Sequence, residues 1–85
     1  MKIKFGLATP SRLWSLGWEG RQQTLSDIVE LGFDHVFMAD HVSFRVGSGT
    51  DGFVEVASLS QLNPKIGVMI SIYLLPLRHP LPVAR

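Results

Sequence analysis

Apolar positions follow two different periods along this chain. Through Met1–Ala8, Ile3, Phe5 and Leu7 alternate against Lys2 and Lys4, the two-residue repeat of a strand. From Arg21 to Leu31 the period lengthens, and Leu25, Ile28, Val29 and Leu31 share one helical face. Gly32 then suits the left-handed position just past a helix end, with Phe33 placed to pack back on Ile28. His35–Ala39 is a short, continuously apolar run, the pattern of a strand buried on both faces. Phe53–Leu62 returns to helical spacing and stops at Asn63-Pro64, because a residue before proline is pushed out of the helical region. Ile66–Leu75 reads as a third strand, and Pro80 or Pro82 suits the first turn of another helix.

The order is strand, helix, strand, helix, strand and a helix start. Successive strands lie roughly thirty residues apart, the size of a βαβ unit, so the predicted class is α/β with a parallel sheet. Thr9–Gly20 is loop-like, punctuated by Pro10, Gly17 and Gly20, and carries Trp14 and Trp18 as either a packed turn or a pocket wall.

Gly47, Gly49 and Gly52 spell G-x-G-x-x-G between the second strand and the second helix. A dinucleotide fingerprint needs a strand running into the first glycine and an acidic residue about twenty positions on. Here Asp40, His41, Ser43 and Arg45 interrupt the approach, and nothing after Glu55 is acidic. The stretch therefore reads as a loop, with Asp51 placed to cap the helix that follows.

The 85 residues suffice for one small domain, taken as 1–85. Eight Lys/Arg and seven Asp/Glu give a net charge of +1, and the basic residues are scattered singly. No basic stripe marks a nucleic-acid surface, and the longest apolar run, Ile66–Leu75, is too short to span a bilayer. The absence of cysteine removes disulfides, thiolate metal sites and cysteine nucleophiles. A cytoplasmic, non-membrane protein is the expectation. The last thirty residues hold no acid and four of the five prolines, and "LPVAR" reads as the start of a further helix.

Parallel α/β folds bind ligands outside the carboxyl ends of their strands. The stretches there are Ala8–Pro10, Asp40–Arg45 and Leu75–Pro80. Asp40-His41 is the most reactive pair: histidine exchanges protons near neutral pH, and a neighbouring carboxylate can set its tautomer. Equally, Asp40 can cap the loop while His41 bonds to backbone. Arg78 can pair an anionic ligand or support the rim of the sheet. His35, beside Asp34, reads as structural. No second histidine stands at ligand spacing, so no metal site is expected.

The stretches "ELGFDHVFMADHVSF" and "IGVMISIYLLPLRHPLPVAR" together resemble the luciferase-like monooxygenase superfamily. The likeness runs from Lys2 to Arg85 and rests on Gly32-Phe33-Asp34, Asp40-His41, and Leu75 to Pro80 with Val83-Ala84 behind them. It implies a (β/α)8 TIM barrel of which this chain supplies the first βαβαβ portion, with FMN or deazaflavin at the carboxyl ends of the strands. It implies His41 as catalytic base or proton donor, Asp40 as its neighbour at the cofactor, and a non-prolyl cis peptide at Ser71-Ile72 against the flavin ring. The third strand departs from the family, with "VMISI" where smaller residues are usual. Length departs too, since such barrels run to about 250 residues. The expectation is an N-terminal fragment of a flavin-dependent oxidoreductase acting on a small molecule, inactive and without tight flavin binding by itself, with a dimeric parent left open. The alternative is a self-contained α/β binding module without catalysis.

Overall fold

Three strands build the sheet in a computed structural model that describes residues 2–40 and 51–84. They are β1 (Gly6–Ala8), β2 (His35–Met38) and β3 (Gly67–Ile70). All pairs are parallel, in the order β1-β2-β3, and Leu7, Val36 and Val68 stand abreast. Helix α1 (Trp18–Glu30) links β1 to β2, α2 (Gly52–Leu62) precedes β3, and α3 (Pro80–Ala84) follows it. Short 3-10 turns occupy Ser11–Ser15 and Leu75–Leu77. The α/β class and the βαβαβ order are as the periodicity predicts.

Both long helices lie on one side of the sheet. Leu25 and Ile28 from α1 and Leu59 and Leu62 from α2 form one core with Val36 and Met38 of β2, joined by Leu13 and Ile66. Leu7 and Val68, in register with Val36, pack against the same cluster. Each such side chain, taken out of water, contributes about 1.5–3 kcal/mol. The register puts Ala8, Phe37 and Met69 on the opposite face, outside that cluster, with Ala8 and Met69 exposed. The His35–Ala39 run is therefore buried on one face only: Val36 and Met38 are buried, His35 and Phe37 are half-buried, and Ala39 is exposed.

The end of α1 follows the predicted stop. Gly32 has φ +94°, its N–H donates to the Val29 carbonyl at 3.0 Å, and the Phe33 N–H reaches the Ile28 carbonyl at 3.4 Å. This is the Schellman pattern, in which a left-handed glycine lets two orphan carbonyls be satisfied. Phe33 packs on the core as expected. Leu31, predicted on the buried face, is instead exposed.

Three boundaries differ from the sequence pattern, each for lack or supply of a partner. The first strand is confined to Gly6–Ala8, and Ile3 and Phe5 are exposed. Backbone pairing starts only at Phe5, whose N–H donates to Asp34 Oδ2 and whose carbonyl accepts from the Asp34 N–H, both at 2.8 Å. The first helix starts at Trp18, ahead of Arg21, because the Arg21 side chain ties down the preceding turn. Its Nε donates to the Leu16 carbonyl and its Nη2 to the Trp14 carbonyl, both at 2.9 Å. The same guanidinium lies over the Trp14 ring, and Trp14 packs on the core while Trp18 is exposed, so the two indoles do not form a pocket wall. The third strand stops at Ile70, short of Leu75. β2 ends at Met38, whose carbonyl takes the last rung from the Ser71 N–H at 2.8 Å, and no ladder partner remains beyond it.

Among the described residues, no helix is long and apolar enough to cross a membrane.

Candidate functional site

The carboxyl ends of β2 and β3 meet at one buried acid. Asp40 leaves β2 two residues after its last paired position, and its side chain is fully enclosed. Both carboxylate oxygens are in use. Oδ1 accepts from the Gly52 N–H at 2.9 Å and Arg78 Nη2 at 3.0 Å. Oδ2 accepts from the Leu74 N–H and pairs with Arg78 Nη1, both at 2.9 Å. The guanidinium thus grips Asp40 through two parallel contacts, a geometry that suits arginine far better than lysine. Burial alone would push the Asp40 carboxyl up. The Leu74 and Gly52 N–H groups, together with Arg78, outweigh that and hold it below the usual aspartate range.

Arg78 also reaches outward. Nη2 donates to Asp51 Oδ2 at 2.8 Å and Nη1 to the Leu74 carbonyl at 3.0 Å. Its carbon centre sits 4.7 Å from the Tyr73 ring centroid, and Tyr73 meets Phe53 with centroids 4.4 Å apart. Asp51 is the N-cap of α2, as its position predicts: its Oδ1 accepts from the Phe53 N–H at 2.9 Å and the Val54 N–H at 3.3 Å. The hydrogen bond from Arg78 and those two amides hold Asp51 below its ordinary value. Asp51 in turn keeps Arg78 charged. Glu55, one turn into α2, shifts the other way: partial burial and the nearby Asp40 charge raise its carboxyl.

The approach is close where α2 meets Asp40. A Cβ on Gly52 would lie 3.1 Å from Asp40 Cβ and 3.2 Å from Ile70 Cγ2, so a side chain there would need Asp40 or Ile70 to shift by a few tenths of an ångström. At the opposite end of the sheet, the His35 imidazole lies across Gly6, where a Cβ would run into the ring. His35 is placed there as a structural residue, away from Asp40.

The sequence-predicted site residues divide as follows. Asp40 is inside the protein with every acceptor position directed at Gly52, Leu74 and Arg78. Ser71 and Ile72 follow β3 directly, are exposed, and are joined by a cis peptide bond, the bond at which the family resemblance implies one. His41, with Gly47 and Gly49 of the glycine loop, lies outside the described residues. The Asp40–Arg78–Asp51 cluster is the feature that sequence reading left unassembled. A signal was present: Arg78 stands in an acid-free tail, just after the strand that neighbours the one leading into Asp40.

Beside the cluster is a shallow cavity of about 240 Å³ between Phe53, Tyr73, Arg78, Pro82 and Val83. Among the described residues, no three His, Asp or Glu side chains converge to hold a metal ion. As for a flavin, exposed Ser71 and Ile72 offer backbone and side-chain surface to a planar ring. The enclosed Asp40 offers no free acceptor, so its contribution would be to hold the chain in place.

No protein-family profile matches this chain, and neither the curated proteins nor the solved structures contain a detectable relative.

Proposed function

We propose that this chain forms the first βαβαβ portion of a (β/α)8 barrel, in an FMN- or deazaflavin-dependent oxidoreductase of the luciferase-like type. One observation carries the reading: both long helices cover the same face of a parallel β1-β2-β3 sheet. A (β/α)8 barrel keeps all its helices outside a sheet of this kind, and right-handed crossovers between successive neighbouring strands put both helices on that one face. On this reading Ala8, Phe37 and Met69 face the barrel interior, and Asp40, next in sequence to His41, stands with Ser71 and Ile72 at its carboxyl end, where barrel enzymes place their chemistry.

The roles follow from chemistry and position. His41 accepts or donates a proton beside a small-molecule substrate. Asp40 acts as a positioning residue that fixes the backbone immediately before His41 through Gly52, Leu74 and Arg78. Ser71 and Ile72 line the cofactor face. When bound, the flavin supplies the redox chemistry.

The test uses a chain carrying the whole barrel. His41→Ala is expected to lower turnover by about 10²–10⁴-fold, the usual contribution of a general acid or base, with little loss of flavin affinity. Full turnover in that variant removes His41 from the mechanism. Titration of flavin fluorescence with the 85-residue chain is expected to show no saturable binding. Tight binding there would favour a self-contained module instead. That second reading has its own support in the continuous core of eight buried side chains among the described residues, and a sharp monomeric melt of the 85-residue chain would favour it.

A further inference from the structure

The residues after β3 are attached to the rest of the protein in an unusual way. From Ser71 to Ala84 not one residue is buried. Ile72, Leu75, Leu77 and Leu81 are all exposed, so apolar packing does little to hold this segment. Beyond the Ser71 rung to the Met38 carbonyl, its side-chain and amide anchors converge on two acids outside it: the Leu74 N–H on Asp40, and Arg78 on Asp40 and Asp51. Within the segment, Arg78 also donates to the Leu74 carbonyl and lies over Tyr73, so the same guanidinium organises the local turn. The one substantial aromatic contact, Tyr73 on Phe53, is adjacent to that guanidinium.

We propose that Asp40, Asp51 and Arg78 form a clasp that holds residues 72–84 as a strap across the carboxyl ends of β2 and β3. Opening the clasp releases the strap as a unit and leaves the sheet, α1 and α2 folded. The physical basis is a difference in what each part depends on. The core is held by non-directional burial, whereas the strap depends on a few charge-assisted hydrogen bonds that share one side chain. Such weakly buried, polar-anchored segments open locally at lower free energy than the core. Opening would uncover the Phe53 and Tyr73 rings and widen the cavity between α2 and α3. The strap therefore controls access to the carboxyl-end face, whatever ligand that face takes, and the proposal stands independently of the flavin reading.

Amide hydrogen exchange of the 85-residue chain tests it. In Arg78→Gln the Leu74 amide is expected to exchange at least about tenfold faster, as loss of a charge-assisted bond implies. The Thr9, Gly67 and Ser71 amides, which donate to Phe37, Asp34 and Met38, are expected to keep their protection. Asp51→Asn removes only the outer, half-exposed arm, and a smaller acceleration at Leu74 is expected. Unchanged Leu74 protection in Arg78→Gln would overturn the proposal. So would loss of protection throughout the sheet, or failure of both variants to fold, because either outcome makes the clasp part of the global fold.

Discussion

The two ends of this molecule are held by different forces. Between the helices and the sheet, Leu13, Leu25, Leu59 and Val36 are wholly buried and carry no polar atoms in their side chains. At the carboxyl ends of the strands, one buried aspartate, one arginine and one capping aspartate hold thirteen residues of which none is buried. The first arrangement tolerates small shifts, since burial is roughly proportional to area and has no preferred direction. The second does not. Asp40 accepts from four donors, and displacing either α2 or the segment after β3 would leave a charge enclosed without its contacts. A core of this kind supplies stability, and a cluster of this kind supplies position. That position lies where parallel α/β proteins bind ligands.

The comparison breaks most visibly on the apolar side. Leu59→Ala empties a fully buried site and is expected to cost about 2–5 kcal/mol. Denaturant unfolding measures it, and the loss should appear as one transition reported equally by tryptophan fluorescence and by circular dichroism. A loss confined to the carboxyl end would mean that the two regions are not separable as described.

Asp40→Asn should act more locally. Asparagine has nearly the same shape but only one acceptor oxygen, so either the Gly52 or the Leu74 N–H would face an amide donor. The expected outcome is faster exchange at Leu74 than in Asp51→Asn, with a smaller fall in the unfolding midpoint than Leu59→Ala produces. A fall as large as that of Leu59→Ala would show that the aspartate supports the whole fold.

The smallest effect is expected from mild acid. Asp40 and Asp51 both have carboxyls held below the ordinary range in the folded protein. Their contribution is therefore complete above the unfolded value and is lost only as pH falls through the depressed folded value. Leu74 protection, corrected for intrinsic exchange, should be flat from pH 7 down to about pH 4, just above the ordinary aspartate value. It should decline only below that. A decline beginning between pH 6 and pH 5 would contradict the assignment of these two carboxylates as the anchors.

Much of the fold was legible because it follows local periodicity. The period of 3.6 at Leu25, Ile28 and Val29, the left-handed Gly32 stop, the Asp51 cap and the Asn63-Pro64 break are all short-range signals, and each appears in the structure. Strand lengths were not legible in the same way. Ile3 and Phe5 alternate like strand residues, and Ile72 to Leu75 continue an apolar run, yet pairing on the first strand begins only at Phe5 and Ile72 to Leu75 lie beyond the last rung of β3. A strand extends only as far as its partner offers donors and acceptors, and β2, with four residues, limits both neighbours. The first turn of α1 was hidden for a related reason: Gly17 and Gly20 read as loop punctuation, while the Arg21 bonds that stabilise that turn are invisible until the chain is folded.

By itself, then, the sequence determined the α/β class, the order of elements, where the two long helices end and that Asp40 and Arg78 would stand after strands. These depend on residues within a few positions of one another. Tertiary structure alone decided that both helices cover one face, that β1 and β3 are short, and that Asp40 is enclosed by groups from twelve to thirty-eight residues away. No local pattern encodes such meetings. They arise because parallel pairing brings the carboxyl ends of neighbouring strands together, and a buried carboxylate there must find donors from whatever the sheet delivers.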